Sequence, residues 1–446
     1  MKIIYIFIFL SMIFCQIVDN NFYMQYSKLD SVNNYHTNFS YFKSDLGSQK
    51  IYIKYDFYNS IIDYNQKFRD NNSIFLYSLA DSLNSNIDFE LAAFVENKKN
   101  KPINNYSEYY NDEFNGFGGD IQKSYIRYKN DYLVLKIGRD YFLPGKYLSD
   151  RLLFSAAGYP YDQFVYTFIK NKLSISSFYL SLNSLNENDI TYIRHLSGRR
   201  VNFKFKNGYL ALNEISIYGG ENQKVNFSLL NPFNVSYIYQ LNNNFSLNSI
   251  LSLEYFFGNN NFSFFIEFVL DDFQIEKKTS KDLEPTEYAF LGYFDRVINK
   301  SVNYNFNFVV IANRTFNAPV NVYEKMIYKN FPIGHLLGNN FWKIENSIIV
   351  KSNFFSLLAR NVYIEKGEEA LFSEFNEDFL DFDVDQGYSE TFPFGEKEIM
   401  SGFEVEIQYL HFKNLNLNTT FSYWLDSFLD NEGLNLAISV DYIYNF

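Results

Sequence analysis

Six cations stand close to glycine, proline and aspartate in the first half of the chain: Arg139, Lys146 and Arg151, then Arg194, Arg199 and Arg200. Guanidinium forks bind carboxylates in bidentate fashion, so such a set could hold an acidic sugar polymer, with Tyr and Phe of outward loops stacking on the sugar rings. The same side chains could instead pair with Asp140, Asp150 and other acids and brace an interior, and the residues alone leave both readings open. A second candidate is the run Asp381-Phe382-Asp383-Val384-Asp385-Gln386-Gly387. Asp381, Asp383 and Asp385 place oxygen ligands at alternate positions, as calcium loops do. The glycine falls one position late and Phe392 stands where the bidentate Glu belongs. That leaves a looser divalent-cation site with Glu374, Glu377 and Asp378, or simply a solvated acidic face.

Other chemistry has no support in the residues. His36, His195, His335 and His411 lie far apart, with no His or Cys at metal-ligand spacing, and read as loop or lumen histidines. There is no G-x-S-x-G elbow and no Walker-type loop, and Gly116-Phe117-Gly118-Gly119 reads as a hairpin turn. No cofactor and no enzymatic activity are expected. A net charge of −12 with scattered Lys and Arg argues against a nucleic-acid partner, which needs a concentrated basic surface.

The elements that must position these residues are strands. The chain has 446 residues, 47% of them hydrophobic and 20% aromatic, with 50 Phe and 39 Tyr. Its mean hydropathy is nevertheless −0.24, which excludes a bundle of membrane-spanning helices. From Leu434 the even positions read Leu434, Leu436, Ile438, Val440, Tyr442, Tyr444 and Phe446, while most odd positions are small or polar. Such a period of two places one face in an apolar medium and the other in a polar one. The same alternation recurs over 87–96, 262–270, 403–409 and 415–423. Segments of about ten alternating residues between polar turns are the signature of a transmembrane β-barrel. The aromatic excess suits the girdles at the two membrane interfaces. With Tyr442, Tyr444 and Phe446 the chain resembles at its end the terminal strand by which bacterial outer-membrane barrels are recognised and inserted, and these residues are the expected insertion signal.

Lys2 followed by the apolar run Ile3 to Phe14 reads as a secretory signal peptide over residues 1–15. Phe14 is too large for the position before a lipidated cysteine, so ordinary cleavage near Cys15 is expected, leaving a mature chain without cysteine. Residues 16–85 are expected to form a periplasmic or plugging element with a possible first strand. Ser73 to Ser85 lacks a period of two and reads as a short helix. Residues 86–446 are expected to form a barrel of 16 to 18 strands, most simply 18.

Connection lengths follow the parity a barrel requires. Counted back from the C-terminus, Lys413-Asn414, Ser352-Asn353, Asn299 to Asn303 and Gly258 to Asn261 are tight and periplasmic. The intervening stretches 366–398, 316–341 and 273–287 are long and outward, Asp430 to Gly433 being the short exception. The stretch 219–232 breaks the pattern, being too long for a periplasmic turn unless it hides a strand.

The segment Lys136 to Pro160, KIGRDYFLPGKYLSDRLLFSAAGYP, resembles the central motif of the capsule assembly Wzi family. There a strand ending in Gly-Arg is followed by a Pro-Gly loop and a Leu-rich Ser-Ala-x-x-Pro segment. The matching positions are Gly138, Arg139, Pro144, Gly145, Leu152, Leu153, Ser155, Ala157 and Pro160. Glu267 to Glu276, with Asp271 and Asp272, is similar to an acidic strand end of that family's relatives, whereas Phe142-Leu143 departs from a Trp-Gly pair common there. The resemblance implies an outer-membrane barrel of about 18 strands with a helical N-terminal element. It also implies a lectin-like role in holding capsular polysaccharide at the cell surface, without catalysis or cofactor. A porin or substrate-specific channel is the alternative, since 16 to 18 strands can enclose a water-filled lumen. The expected partners are capsular or other surface polysaccharide, outer-membrane lipid and the barrel-assembly machinery.

Overall fold

Asparagine and serine punctuate the wall at its inner end. Asn84, Asn130, Asn259 and Asn299 each accept backbone N–H groups two or three residues ahead, and the Ser352 hydroxyl does the same for Phe354 and Phe355. These side chains mimic a backbone turn, so the chain reverses within two or three residues.

A computed structural model describes residues 48–60, 69–97, 117–146, 148–155, 159–187, 189–272, 279–368, 371–412, 415–426 and 431–445. The expected signal peptide, Cys15, His36 and Phe446 lie outside the described residues. The strands in chain order are β1 (Ser48–Ser60), β2 (Arg69–Asn84), β3 (Ile87–Asn97), β4 (Phe117–Lys129), β5 (Leu133–Asp140), β6 (Tyr161–Lys170) and β7 (Leu173–Ser181). There follow β8 (Leu185–Glu187), β9 (Ile190–Phe205), β10 (Gly208–Glu221), β11 (Asn248–Gly258), β12 (Phe262–Asp272), β13 (Glu287–Asn299) and β14 (Val302–Ile311). The last are β15 (Ile327–Tyr328), β16 (Phe331–Pro332), β17 (Phe341–Lys351), β18 (Phe355–Lys366), β19 (Glu398–Phe412), β20 (Leu415–Asp426) and β21 (Asn431–Asn445). β15 and β16 pair only with each other, and β8 only extends the pairing of β9.

The other eighteen strands pair antiparallel with their neighbours, and β21 pairs with β1 from Lys50↔Asn445 to Ser60↔Asn435, so the sheet closes. The described residues give a wall of eighteen strands, but 86–446 supplies sixteen of them, and β1 and β2, which precede residue 86, complete the number. Inner connections such as 130–132, 171–172, 206–207 and 352–354 are tight, whereas 141–160, 222–247, 312–340 and 367–397 all leave the opposite end. The stretch 219–232 therefore opens an outward connection. Its next residues form no strand but a helix, α1 (Ser236–Asn243), ended by Asn244 in the left-handed conformation at φ 48°.

Three local expectations need correction. Residues 73–84 belong to β2, in register with β1 from Ser48↔Ala80 to Asn59↔Arg69, so no helix forms there and the wall begins at Ser48 instead of residue 86. Pairing along the whole of β2 outweighs its weak pattern. Phe117, Gly118 and Gly119 lie in β4 and make no hairpin turn.

Alternation is visible along the wall. Leu210, Leu212, Leu251, Leu253, Ile266 and Phe268 are exposed outward, while their strand neighbours are buried inward. An apolar belt of this extent on a water-soluble surface would drive association, whereas hydrocarbon accommodates it.

Candidate functional site

An 18-stranded wall encloses more space than its own side chains can fill. Here the connections 141–160 and 312–340 fold back from the outer end into that space. Leu152, Leu153 and Phe154 of the first, and Phe316, Met326 and Ile333 of the second, join one core with wall residues of β7, β9, β10, β12, β13, β14 and β17. The two connections also lock to each other. Ser155 N–H donates to Ile333 O at 3.2 Å, and a Cβ on Gly334 would lie 1.9 Å from Leu152 O.

Arg151 is the first anchor of the plug to the wall. Its guanidinium lies 2.7 Å from Glu254 of β11 and 2.8 Å from Glu267 of β12, with all three side chains at 2% exposure or less. It also donates to Pro144 O and Lys146 O, and Leu152 N–H donates to Glu267. Arg200 reaches the same Glu254 and donates to Asn213 Oδ1, so one carboxylate carries two guanidiniums. Gly145 takes φ 86° beside them, and a Cβ there would come within 2.8 Å of Arg200, Glu254 and the Tyr209 hydroxyl. Pro144-Gly145 is thus the bend that lets the connection turn against the wall, while Gly138 at φ 121° lets β5 approach the β4 backbone closely, a Cβ there falling 2.2 Å from Ser124 O. Pro160 is buried where the connection returns to β6, and the Ser155 hydroxyl donates to Ser149 O.

Asp150 forms a second anchor. It accepts from Lys343 Nζ of β17 at 2.9 Å and from the Asn307 amide, and its Oδ1 lies 3.1 Å from His335 Nε2. Although burial opposes ionisation, Lys343 and His335 hold the Asp150 carboxyl well below the usual carboxylate range. Burial pushes the His335 ring down, and its Nδ1 accepts from Leu337 N–H, which leaves Nε2 to carry the proton toward Asp150.

The nominated cations do not gather into one site. Arg139 stands at the outer end of β5 between Asp120 and Asp162. Lys146 lies over the Phe256 ring at 5.1 Å. Arg194 donates to the carbonyls of Tyr323, Ile327 and Lys325, pinning the second plug connection. Arg199 faces outward from the wall and pairs with Glu214 at 3.0 Å, whereas its neighbour Arg200 faces the lumen. Strand alternation puts the two on opposite sides of the sheet, so they cannot serve one ligand. His195 shares the outward face with Arg199 and meets the Tyr179 hydroxyl at 2.8 Å, so it is neither a lumen nor a loop histidine.

Asp381, Asp383 and Asp385 are exposed, and among the described residues no group of three or more His, Cys, Asp or Glu has metal-holding geometry. The calcium-like run is a short 3-10 turn over Asp378–Asp381 followed by solvated side chains.

Asp271 and Asp272, at the outer end of β12, belong to the plug's tether. Asp271 accepts from Phe316 N–H, and Asp272 pairs in register with Glu287. Glu284, in the connection beyond them, is pushed up to about 7, first by burial and then by Asp272. A carboxyl raised above its ordinary 4.5 stabilises the folded connection below that pH and loses this contribution as pH rises through about 7. Protease cleavage within 279–286 should therefore increase between about pH 5.5 and pH 8, and Glu284→Gln should flatten that dependence. A wild-type profile flat over this range would contradict the assignment.

No protein-family model matches the chain, and no curated protein matches it in sequence. The solved structures do match. The chain aligns with Wzi of Escherichia coli, a carbohydrate-binding β-barrel involved in group 1 capsule assembly, at 13% identity and a TM-score of 0.60, covering 93% of this chain and 88% of that one. A BenF-like porin from Pseudomonas fluorescens aligns at 10% identity and a TM-score of 0.54, covering 90% and 98%. OpdK of Pseudomonas aeruginosa aligns at 10% identity and a TM-score of 0.51, covering 90% and 99%. The fold is that of the bacterial outer-membrane β-barrels, and it is shared by the carbohydrate-binding barrel and the porins alike.

Proposed function

We propose that the protein is a non-enzymatic outer-membrane barrel of the Wzi type that binds or organises surface polysaccharide, with a lumen occupied by its own connections. The observation that carries this reading is the burial of Arg151 between Glu254 and Glu267. Glu254 lies nearer the inner end of β11 than the outer, so the plug reaches past the middle of the wall. Solutes crossing the lumen would have to displace a desolvated three-way ion pair. The arginines nominated for sugar carboxylates are engaged with protein partners, which moves ligand contact to the outermost loop. There Phe372, Phe382 and Phe392 are exposed in the connection 367–397 and can stack on sugar rings.

The likeness to porins supports a second reading, a substrate-specific channel. Planar bilayers separate the two. Electrical silence together with retention on immobilised capsular glycan, reduced by Phe372→Ala and Phe382→Ala, is the expected result. Steady large-conductance openings from the wild-type protein would overturn the closed-barrel reading in favour of the channel.

A further inference from the structure

The connection 222–247 neither stands at the rim nor enters the lumen. It lies down the outside of the wall. Arg199, Glu214, Ser216 and Tyr218 project outward from β9 and β10, and residues of this connection cover them. Ser236 N–H donates to Glu214 Oε1 at 2.8 Å, so a wall carboxylate meets the positive end of α1, and Arg199 donates to the Ser236 hydroxyl at 3.0 Å. Ser177 of β7 donates to Leu230 O at 2.7 Å, and Asn226 N–H donates to the Tyr218 hydroxyl at 3.1 Å. Leu229 and Leu247 pack on Tyr218 in a small core separate from that of the lumen.

Register gives the level of this patch. Ser177, Arg199, Glu214 and Leu251 lie in one row across β7, β9, β10 and β11. The next row toward the inner end is Ile175, Val201, Leu212, Leu253 and Phe268, and Val201, Leu212, Leu253 and Phe268 are exposed outward. The covered charges thus sit at the outer edge of the apolar belt, level with the exposed Leu251, where a bare Arg facing lipid would cost on the order of 1–4 kcal/mol depending on depth. The far side of the covering segment is apolar. Phe227 is 79% exposed, Phe233 76% and Leu241 66%, with Tyr237 and Ile238 beside them on α1. Residues 222–247 contain no Asp or Glu and a single charged side chain, Lys224, in a chain with 51 acidic residues.

We propose that 222–247 is a membrane-immersed flap. It roofs the polar patch of the wall and continues the lipid-facing belt with its own apolar side, which dissolves in the acyl chains of the outer leaflet. This rests on the reading of the barrel as membrane-spanning. The test places a nitroxide at Leu241→Cys, at Leu253→Cys on the bare wall and at Phe392→Cys in the outer loop, each with Cys15→Ser. Collisions with oxygen and with a water-soluble nickel chelate are then compared in proteoliposomes. The expected result is an oxygen-to-nickel ratio at 241 that matches 253 and exceeds 392 severalfold. Nickel access at 241 with oxygen preference at 253 would overturn the flap and leave the barrel reading intact. Nickel access at both would overturn membrane placement itself. Shielding of 241 from both probes, the mark of a seam with a second copy, would also overturn the proposal.

Discussion

Arg151→Ala is expected to open the barrel. Removing one member of a buried ion pair costs about 3–5 kcal/mol, because the partner charges stay behind without compensation. Here Glu267 loses its bidentate partner, and the carbonyls of Pro144 and Lys146 lose their donor. Arg200 still holds Glu254, which keeps the wall paired at that strand. Such a loss shifts the ratio of undocked to docked plug by about a hundredfold to several thousandfold. In planar bilayers this reads as openings of the full lumen, in cells as uptake of large antibiotics, and in detergent as protease access to 141–160. The wall should persist, so heat-modifiable gel mobility should be retained. A milder effect is expected from Arg151→Met combined with Glu267→Gln, since no charge is then left buried alone. A single variant as silent as the wild type would show that the apolar core around Leu152 and Phe154 holds the plug without the latch.

Gly138→Ala should act on the wall itself. At φ 121° an L side chain is strained, and the new Cβ would lie 2.2 Å from Ser124 O and 2.8 Å from Tyr125 Cα of the paired strand. Both are backbone atoms, so neither can yield without breaking the β4–β5 ladder. Strain of about 1–3 kcal/mol adds to an overpacking cost of similar size. Urea unfolding in detergent should show a lower midpoint or failure to refold. Gly292→Ala in β13 is the comparison, because its Cβ would meet only the Phe290 ring at 3.4 Å and should change stability little. Equal behaviour of the two variants would refute the close-approach argument.

Much of the wall was legible because its determinants are local. Asn259 and Asn299 reverse the chain by bonding to backbone two or three residues away, so the turns can be read in place. The motif Gly138 to Pro160 was legible as a unit, and its Pro144-Gly145 bend proved to be where the plug turns against the wall. The partners of its arginine were not legible. Arg151 and Glu267 are 116 residues apart, and nothing near either names the other. One signal was present and unused. Arg199 and Arg200 are adjacent on a strand, so alternation alone sends one of them out toward the apolar face, where a charge demands a cover. The helical appearance of Ser73 to Ser85 misled because β2 draws its order from the pairing on both sides of it.

The amino-acid sequence by itself determined the period of two, the tight inner turns and the long outward connections, and with them an antiparallel barrel with one apolar face; that β1 and β2 complete its eighteen strands came only with the structure. Side-chain alternation and turn chemistry act within a few residues, so they are written along the chain. Only the tertiary structure decided where the outward connections go: 141–160 and 312–340 into the lumen, 222–247 down the outside. A connection of that length can close on many surfaces at similar entropic cost. The choice rests on buried carboxylates: inside, Glu254 and Glu267, 103 and 116 residues along the chain from Arg151, and outside, Glu214 on the strand that the connection leaves, whose carboxylate meets Ser236 once the segment folds back on the wall.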